Sequence, residues 1–256
     1  MSITFSTCWY QLKSKFDPSV YREWMHNMLS MVNTYYLVVY TDEQSKWMIE
    51  PYIGNVNIKM VIKPFESFVG YAYKEKWITN HARNDLLNTR VDWKVNMMWC
   101  EKVHFVRDTM ENGYFKKTDW YGWCDIGYFR HRTCLADWPN GSIIASLDKE
   151  KLHYACVNHN DEEIQHLKHI IQEGGVIPAT QCSIAGGFFV AHMNRVLSWV
   201  EEFDATLRSY WERDRLVKDD QIIIADCLLT HPEKCVLYTE CNPSYDHWFQ
   251  FQRVLA

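Results

Sequence analysis

No apolar run in this sequence approaches the ~18 residues that a membrane-spanning helix needs, so no membrane span is expected. No basic segment precedes an apolar stretch in Met1-Ser2-Ile3-Thr4-Phe5-Ser6-Thr7, so no secretory signal is expected either. An excess of positive charge is missing too. The 256 residues carry 27 Lys and Arg against 32 Asp and Glu, a formal net charge of −5. That balance argues against a nucleic-acid partner held along its phosphate backbone, and leaves room for one local basic cluster around a small anion. Cys-x-x-Cys spacing is absent, and the nine cysteines are an odd number. Cys124, Cys182 and Cys227 lie in apolar runs and read as small buried hydrophobes, which fits a reducing, cytoplasmic compartment. There is no internal repeat, low-complexity tract or Pro/Ser-rich linker, so a single domain over 1–256 is the simplest expectation.

Hydrophobic residues make up 47% of the chain, ample for a sizeable core. Strands and helices alternate from the start. Ile3 to Trp9 reads as a strand. Asp17-Pro18 opens a helix, with Asp as the cap and Pro at the first helical position, and Tyr21, Trp24, Met25, Met28, Leu29 and Val32 on one face. Tyr35 to Tyr40 and Ile58 to Ile62 read as further strands. This β-α-β start implies an α/β fold, with a mostly parallel central sheet and helices on both faces. Residues 66–92 are ambiguous and partly helical. Trp93 to Glu111 reads as one helix with Val95, Met98, Trp99, Val103, Val106 and Met110 inward. Ser142 to Leu147 and Tyr154 to Asn158 read as strands, and Asn160 with Glu163 as a capping box for a helix through Gln172. Met193 to Arg213 and Asp219 to Thr230 read as helices, and Cys235 to Tyr238 as the last strand.

The most informative stretch is Trp123-Cys124-Asp125-Ile126-Gly127-Tyr128-Phe129-Arg130. It follows an aromatic strand that delivers one carboxylate, Asp125, to its carboxyl end, where ligands of open α/β sheets bind. A strand-end Asp holds a divalent metal or caps a turn, and an Arg five positions on meets a diphosphate or faces solvent. Three further signals follow in order. Gly186-Gly187 permits close backbone approach or makes a turn or bulge. Asp219-Asp220 stands at a helix start, where an Asp is often only a cap. His247 lies among aromatics, as a ligand or as a packing histidine. The 12 Trp, 15 Tyr and 12 Phe serve as core or as platforms for sugar rings.

That order resembles the GT-A glycosyltransferase core: a metal motif after a middle strand, a Gly-rich loop, an acidic motif opening a later helix and a C-terminal His. More narrowly, Trp123 to Arg130, Phe16-Asp17-Pro18-Ser19-Val20-Tyr21 to Asp42, and Trp99 to Lys102 resemble the YibB/HtrL family of glycosyltransferases, with bacterial and large-DNA-virus members. The resemblance covers nearly the whole chain. It implies a nucleotide-sugar-binding half at 1–130 and an acceptor-binding half at 131–256. It implies donor contacts from Thr7, Tyr40, Lys102, Asp125 and Arg130, and acceptor contacts from Gly186, Gly187 and Phe188. It implies Asp220 as catalytic base, Asp219 as an orienting carboxylate, and Mn²⁺ or Mg²⁺ on Asp125 and His247. The tail from Tyr245 to Phe251 would close over the donor. The expected Asp-x-Asp is incomplete, reading Asp125-Ile126-Gly127. Arg130, Arg132 or Lys102 would then share the task of neutralising the leaving diphosphate. The implied reaction moves a sugar from a nucleotide-diphosphate sugar, such as a UDP-sugar, to a glycan or glycoconjugate hydroxyl. Two other readings stand beside it. One is a nucleotidyltransferase, against which Cys8-Trp9-Tyr10-Gln11-Leu12-Lys13 lacks the usual loop glycine. The other is a non-catalytic glycan-binding protein on a decayed transferase fold.

Overall fold

In the computed structural model, residues 2–131, 137–157, 160–180 and 183–256 are described. Seven strands form one sheet: β1 (Ile3–Trp9), β2 (Tyr36–Thr41), β3 (Ile58–Ile62), β4 (Trp120–Cys124), β5 (Leu152–Cys156), β6 (Ile184–His192) and β7 (Cys235–Thr239). Their spatial order is β3-β2-β1-β4-β6-β5-β7. β1 pairs in parallel with β2 and β4, β2 with β3, and β5 with β7. Only β6 runs against its neighbours, antiparallel to β4 and to β5. The expectation of an α/β fold with a mostly parallel sheet is met.

Alternation along the strands sends successive side chains to opposite faces. Val38 and Tyr40, with Trp123, Phe189 and Ala191, join one buried cluster. Leu37 and Val39, with Cys124, Phe188 and Val190, join the other. Helices cover both. The first face meets α2 (Lys74–Ala82), α3 (Trp93–Cys100), α4 (Lys102–Asn112), α6 (Asp161–Gln172), α7 (Met193–Glu212) and α8 (Asp220–Thr230) through residues such as Trp77, Phe105, Trp199 and Ile223. The second meets α1 (Pro18–Leu29), α5 (Gly141–Ser146) and α9 (Phe251–Val254) through Met25, Met28, Ile144 and Phe251.

The local signals account for most boundaries. Asp17 accepts from the Ser19 amide at the start of α1, and Asn160 accepts from the Glu162 and Glu163 amides at the start of α6. Of residues 142–147, expected as a strand, all but the extended Leu147 are helical instead. Asn140 caps them by accepting from the amides of Ser142 and Ile143, a device that overrides the β-branched run behind it. The helix expected over 93–111 is two helices, α3 and α4, joined at Glu101. The Glu101 carboxylate accepts from the amides of Val69 and Gly70, at 2.8 and 3.0 Å, and this tie holds the junction. The break changes the buried set. Met97, Cys100 and Lys102 turn inward, while Met98, Trp99 and Met110 are only partly buried. Gly186 and Gly187 lie inside β6, where a loop was expected. Arg132 and Cys182 fall outside the described residues, as does the expected strand end at Asn158. No helix of the described residues is long and apolar enough to cross a membrane.

Candidate active site

A cavity of about 640 Å³ opens where β1 and β4 end. Trp9 and Tyr10 reach it from β1, and Asp125 from the residue after β4. Gly186 and Gly187 of β6 form floor, and Lys218, Asp219 and Asp220 arrive with the start of α8. Phe16, Tyr21, Trp24 and Phe249 make one wall, and Leu87, Met98 and Trp99 the other.

At the floor the ammonium of Lys102 meets three acceptors. It donates to the Gly186 carbonyl at 2.8 Å, and it pairs with Asp220 Oδ2 at 3.0 Å and Asp125 Oδ1 at 3.1 Å. Lys102 is the first residue after the Glu101 junction, so the break in the helix is what turns it toward the cavity. Asp125 is held from two further sides. Trp123 Nε1 donates to its Oδ1 at 2.6 Å, and its own amide donates to the Gly187 carbonyl at 2.8 Å.

The two glycines explain how the carboxylates come so near the strand. A Cβ at Gly186 would lie 2.5 Å from Asp220 Oδ2, and one at Gly187 would lie 3.1 Å from Asp125 Oδ2. Asp220 is buried and held by Lys102, so it cannot yield without giving up that ion pair. Gly186→Ala is therefore expected to cost about 1–3 kcal/mol, the usual range for overpacking, as read from urea midpoints. Gly187→Ala should cost less, because Asp125 is only partly buried and has room to move.

Burial pushes the Asp220 carboxyl up, with Asp219 and Asp125 adding to it and Lys102 opposing, and its pKa stands at about 6. Burial alone would lower the Lys102 ammonium, but Asp125 and Asp220 outweigh it and raise its pKa above the ordinary lysine value. Asp219 does not cap α8, since its side chain accepts no amide there. Its Oδ2 pairs with Lys218 at 3.2 Å, and its buried Oδ1 has no partner among the described residues.

Most of the residues expected from the sequence gather here: Lys102, Asp125, Arg130, Gly186, Gly187, Asp219 and Asp220 all line the cavity. Four do not. Thr7 is fully buried in β1 and paired across to Val39, away from the lining. Tyr40 points into the core, where its hydroxyl is 2.9 Å from Thr109 and its ring stacks on Phe105. Phe188 alternates away from the cavity onto the opposite face of β6, stacked on Phe251. His247 starts a short 3-10 turn whose neighbours Asp246, Trp248 and Phe249 line the cavity, while His247 itself does not. Phe251 is likewise core, so the part of the tail that reaches the cavity ends at Phe249.

Two cations were not anticipated. Lys15, in the connection between β1 and α1, lies 4.6 Å over the Trp99 ring. Although the residue is exposed overall, burial around its ammonium holds its pKa below the ordinary lysine value, with Asp219 and Asp220 opposing and Lys218 and Lys102 adding. Lys218 precedes the Asp219-Asp220 pair, and its place beside that pair was the available signal. Arg130, which was expected, packs its guanidinium against Trp24, Phe249 and Phe16 at 4.4, 4.9 and 5.2 Å. Neither Lys15 nor Arg130 has a carboxylate partner among the described residues.

A divalent ion fits this donor set poorly, because Asp125 and Asp220 already face an ammonium. Hard cations are otherwise held by one or two carboxylates, with waters and substrate phosphates completing the shell. Among the described residues no group of three His, Cys, Asp or Glu side chains is placed to hold one. Of the expected pair, Asp125 lines the cavity and His247 does not, and Asp125 already faces an ammonium.

No protein-family model matches the chain, and no curated protein matches it, so the YibB/HtrL resemblance rests on the sequence residues alone. Solved structures do match. Mouse xyloside xylosyltransferase 1, in its apo form, is 11% identical, with 98% of this chain and 93% of that one covered at a TM-score of 0.51. The galactosyltransferase LgtC, in complex with donor and acceptor sugar analogues, is 10% identical, with 96% of this chain and 83% of that one covered at 0.50. An active-site mutant of LgtC is 10% identical, with coverage of 99% and 84% at 0.51. At such identities the likeness is one of fold, and the fold is that of the GT-A glycosyltransferases.

Proposed function

We propose that the protein is a glycosyltransferase that moves a sugar from a nucleotide-diphosphate sugar, a UDP-sugar foremost, to a hydroxyl of a glycan or glycoconjugate. The observation that carries this reading is the meeting of Lys102, Asp125 and Asp220 across two glycines, at the floor of an aromatic cavity where β1 and β4 end. That crevice is where open α/β sheets bind nucleotides. Residues 1–130 supply Lys15, Lys102, Asp125 and Arg130, and we assign them the donor. Residues 131–256 supply Gly186, Gly187, Asp219 and Asp220, and we assign them the acceptor side.

The chemistry we assign is inverting. The acceptor oxygen attacks the anomeric carbon, the bond from that carbon to the β-phosphate oxygen breaks, and the diphosphate leaves with the electron pair. Asp220 takes the proton of the attacking hydroxyl. A general base works best with a pKa near the operating pH, and a carboxyl raised to about 6 meets that demand. Asp219 orients the acceptor through its unpartnered buried oxygen. Lys15 and Arg130 balance the charge that grows on the diphosphate, the step at which fixed cations contribute most.

A ligand that binds only the folded state raises its melting temperature, by about 2.7 kcal/mol of added stability at 100 times its Kd. UDP, GDP and their sugars are therefore expected to shift the melting temperature with dose, and free sugar much less. If a panel of nucleoside diphosphates and their sugars at millimolar levels leaves it unmoved, the reading fails.

A further inference from the structure

We infer that the Lys102 ammonium is the resident cation of this site, seated between Asp125 and Asp220, so that nucleoside diphosphate binds without a metal ion. The inference rests on the transferase reading only for the identity of the ligand. The seat itself is geometric.

The Lys102 ammonium donates to the Gly186 carbonyl on β6 and stands at ion-pair distance from two carboxylates on two further elements, Asp125 after β4 and Asp220 on α8. All three lie between 2.8 and 3.1 Å, and Lys102 is buried. The seat is built rather than incidental. Glu101, tied to the Val69 and Gly70 amides, fixes the helix junction that aims Lys102 inward. Glycines at 186 and 187 leave the space in which both carboxylates approach the strand.

A divalent ion entering between Asp125 and Asp220 would have to displace this ammonium or stand beside it. Charges of like sign a few ångströms apart repel strongly where water is scarce. Displacement would leave a buried lysine without its partners, which is costly in itself. Each carboxylate already faces an ammonium: Asp125 and Asp220 share Lys102, and Asp219 pairs with Lys218. The diphosphate would then be met by the cations that no described carboxylate holds, Lys15 over Trp99 and Arg130 within its three rings.

The test has two arms on the wild-type protein. In the first, the electron paramagnetic resonance signal of free Mn²⁺ is followed as protein is added without nucleotide. No uptake is expected up to millimolar Mn²⁺, and stoichiometric uptake quenched by excess Mg²⁺ would overturn the seat. In the second, the thermal shifts given by UDP and GDP are compared in EDTA and in Mn²⁺. Apparent affinities within about twofold of each other are expected. A shift seen only with Mn²⁺ overturns the inference and leaves the transferase reading standing. No shift in either buffer sinks the transferase reading, and the Mn²⁺ uptake arm still judges the seat. Lys102→Ala, which vacates the seat, is expected to take up Mn²⁺ in the first arm. A folded Lys102→Ala protein that takes up none counts against the assignment. Should that variant not fold, the wild-type arms decide alone.

Discussion

Asp220→Asn is expected to cut turnover by roughly 10²–10⁴-fold, the usual worth of a general base, while donor affinity changes little. Asparagine keeps the shape beside Gly186 and removes the proton acceptor. Asp220 faces Lys102, Asp219 and Asp125, with the Cys100 thiol also close enough to feel its charge. With its carboxyl raised to about 6, the wild-type rate should climb as pH rises through 6, and the residual rate of Asp220→Asn should be flat there. Stability should move the other way. A carboxyl raised by folding favours the folded state when protonated, so that support is complete below about pH 4 and is lost as pH rises through 6. At one pKa unit per ~1.4 kcal/mol, the wild-type protein should give up roughly 2–3 kcal/mol over that window. Asp220→Asn should show a shallower slope, with the buried Glu101 and partly buried Asp226 carboxyls, also raised, supplying what remains. Urea unfolding at pH 4 and pH 7 reads the second effect, and kinetics on an identified donor and acceptor read the first. Near-normal turnover would remove Asp220 from the mechanism, and equal slopes would show that its carboxyl is not raised.

Phe188→Ala is expected to destabilise the protein by about 3–5 kcal/mol, the range for deleting a buried aromatic ring. Its ring lies 4.7 Å from Phe251, 5.0 Å from Tyr128 and 5.2 Å from Phe5, all buried. That fixes the C-terminal segment to the sheet, because Phe251 opens α9. Phe188→Leu keeps most of the volume, and should fold and bind nucleoside diphosphate like the parent. The comparison separates the core position from the acceptor contact implied by family resemblance. An acceptor contact would leave the stability of Phe188→Ala nearly unchanged and would weaken acceptor binding in both variants.

The sheet and most helices were legible because their signals are local. Asp17-Pro18 is a cap followed by a helix starter, and the strand at Ile58–Ile62 is an apolar run stopped by Pro64. Asp125, Asp219 and Asp220 were legible together through their order along the chain, since each alone could have been only a cap. What was not legible depends on partners distant in sequence. No proline or glycine marks the junction at Glu101, which is set by amides more than thirty residues earlier. Nothing local shows that Gly186-Gly187 belongs to a strand, since the reason is Asp220 and Asp125 pressing on it. The misplacement of Thr7, Tyr40 and Phe188 has one cause. Central strands of a sheet covered on both faces are apolar on both, so their pattern does not say which residue faces which way.

The contact between Gly186 and Asp220 has a bearing on how this sequence can drift over generations. The two positions share a space that holds one carboxylate and no methyl group, so a larger residue at 186 is disfavoured while 220 remains an aspartate. A larger residue at 186 is viable only after 220 has shrunk, and by then the proton acceptor is gone. Restoring an aspartate at 220 likewise needs the glycine first. Relatives of this chain that keep the aspartate at 220 should therefore keep glycine at 186, and larger residues at 186 should occur only where that aspartate is gone.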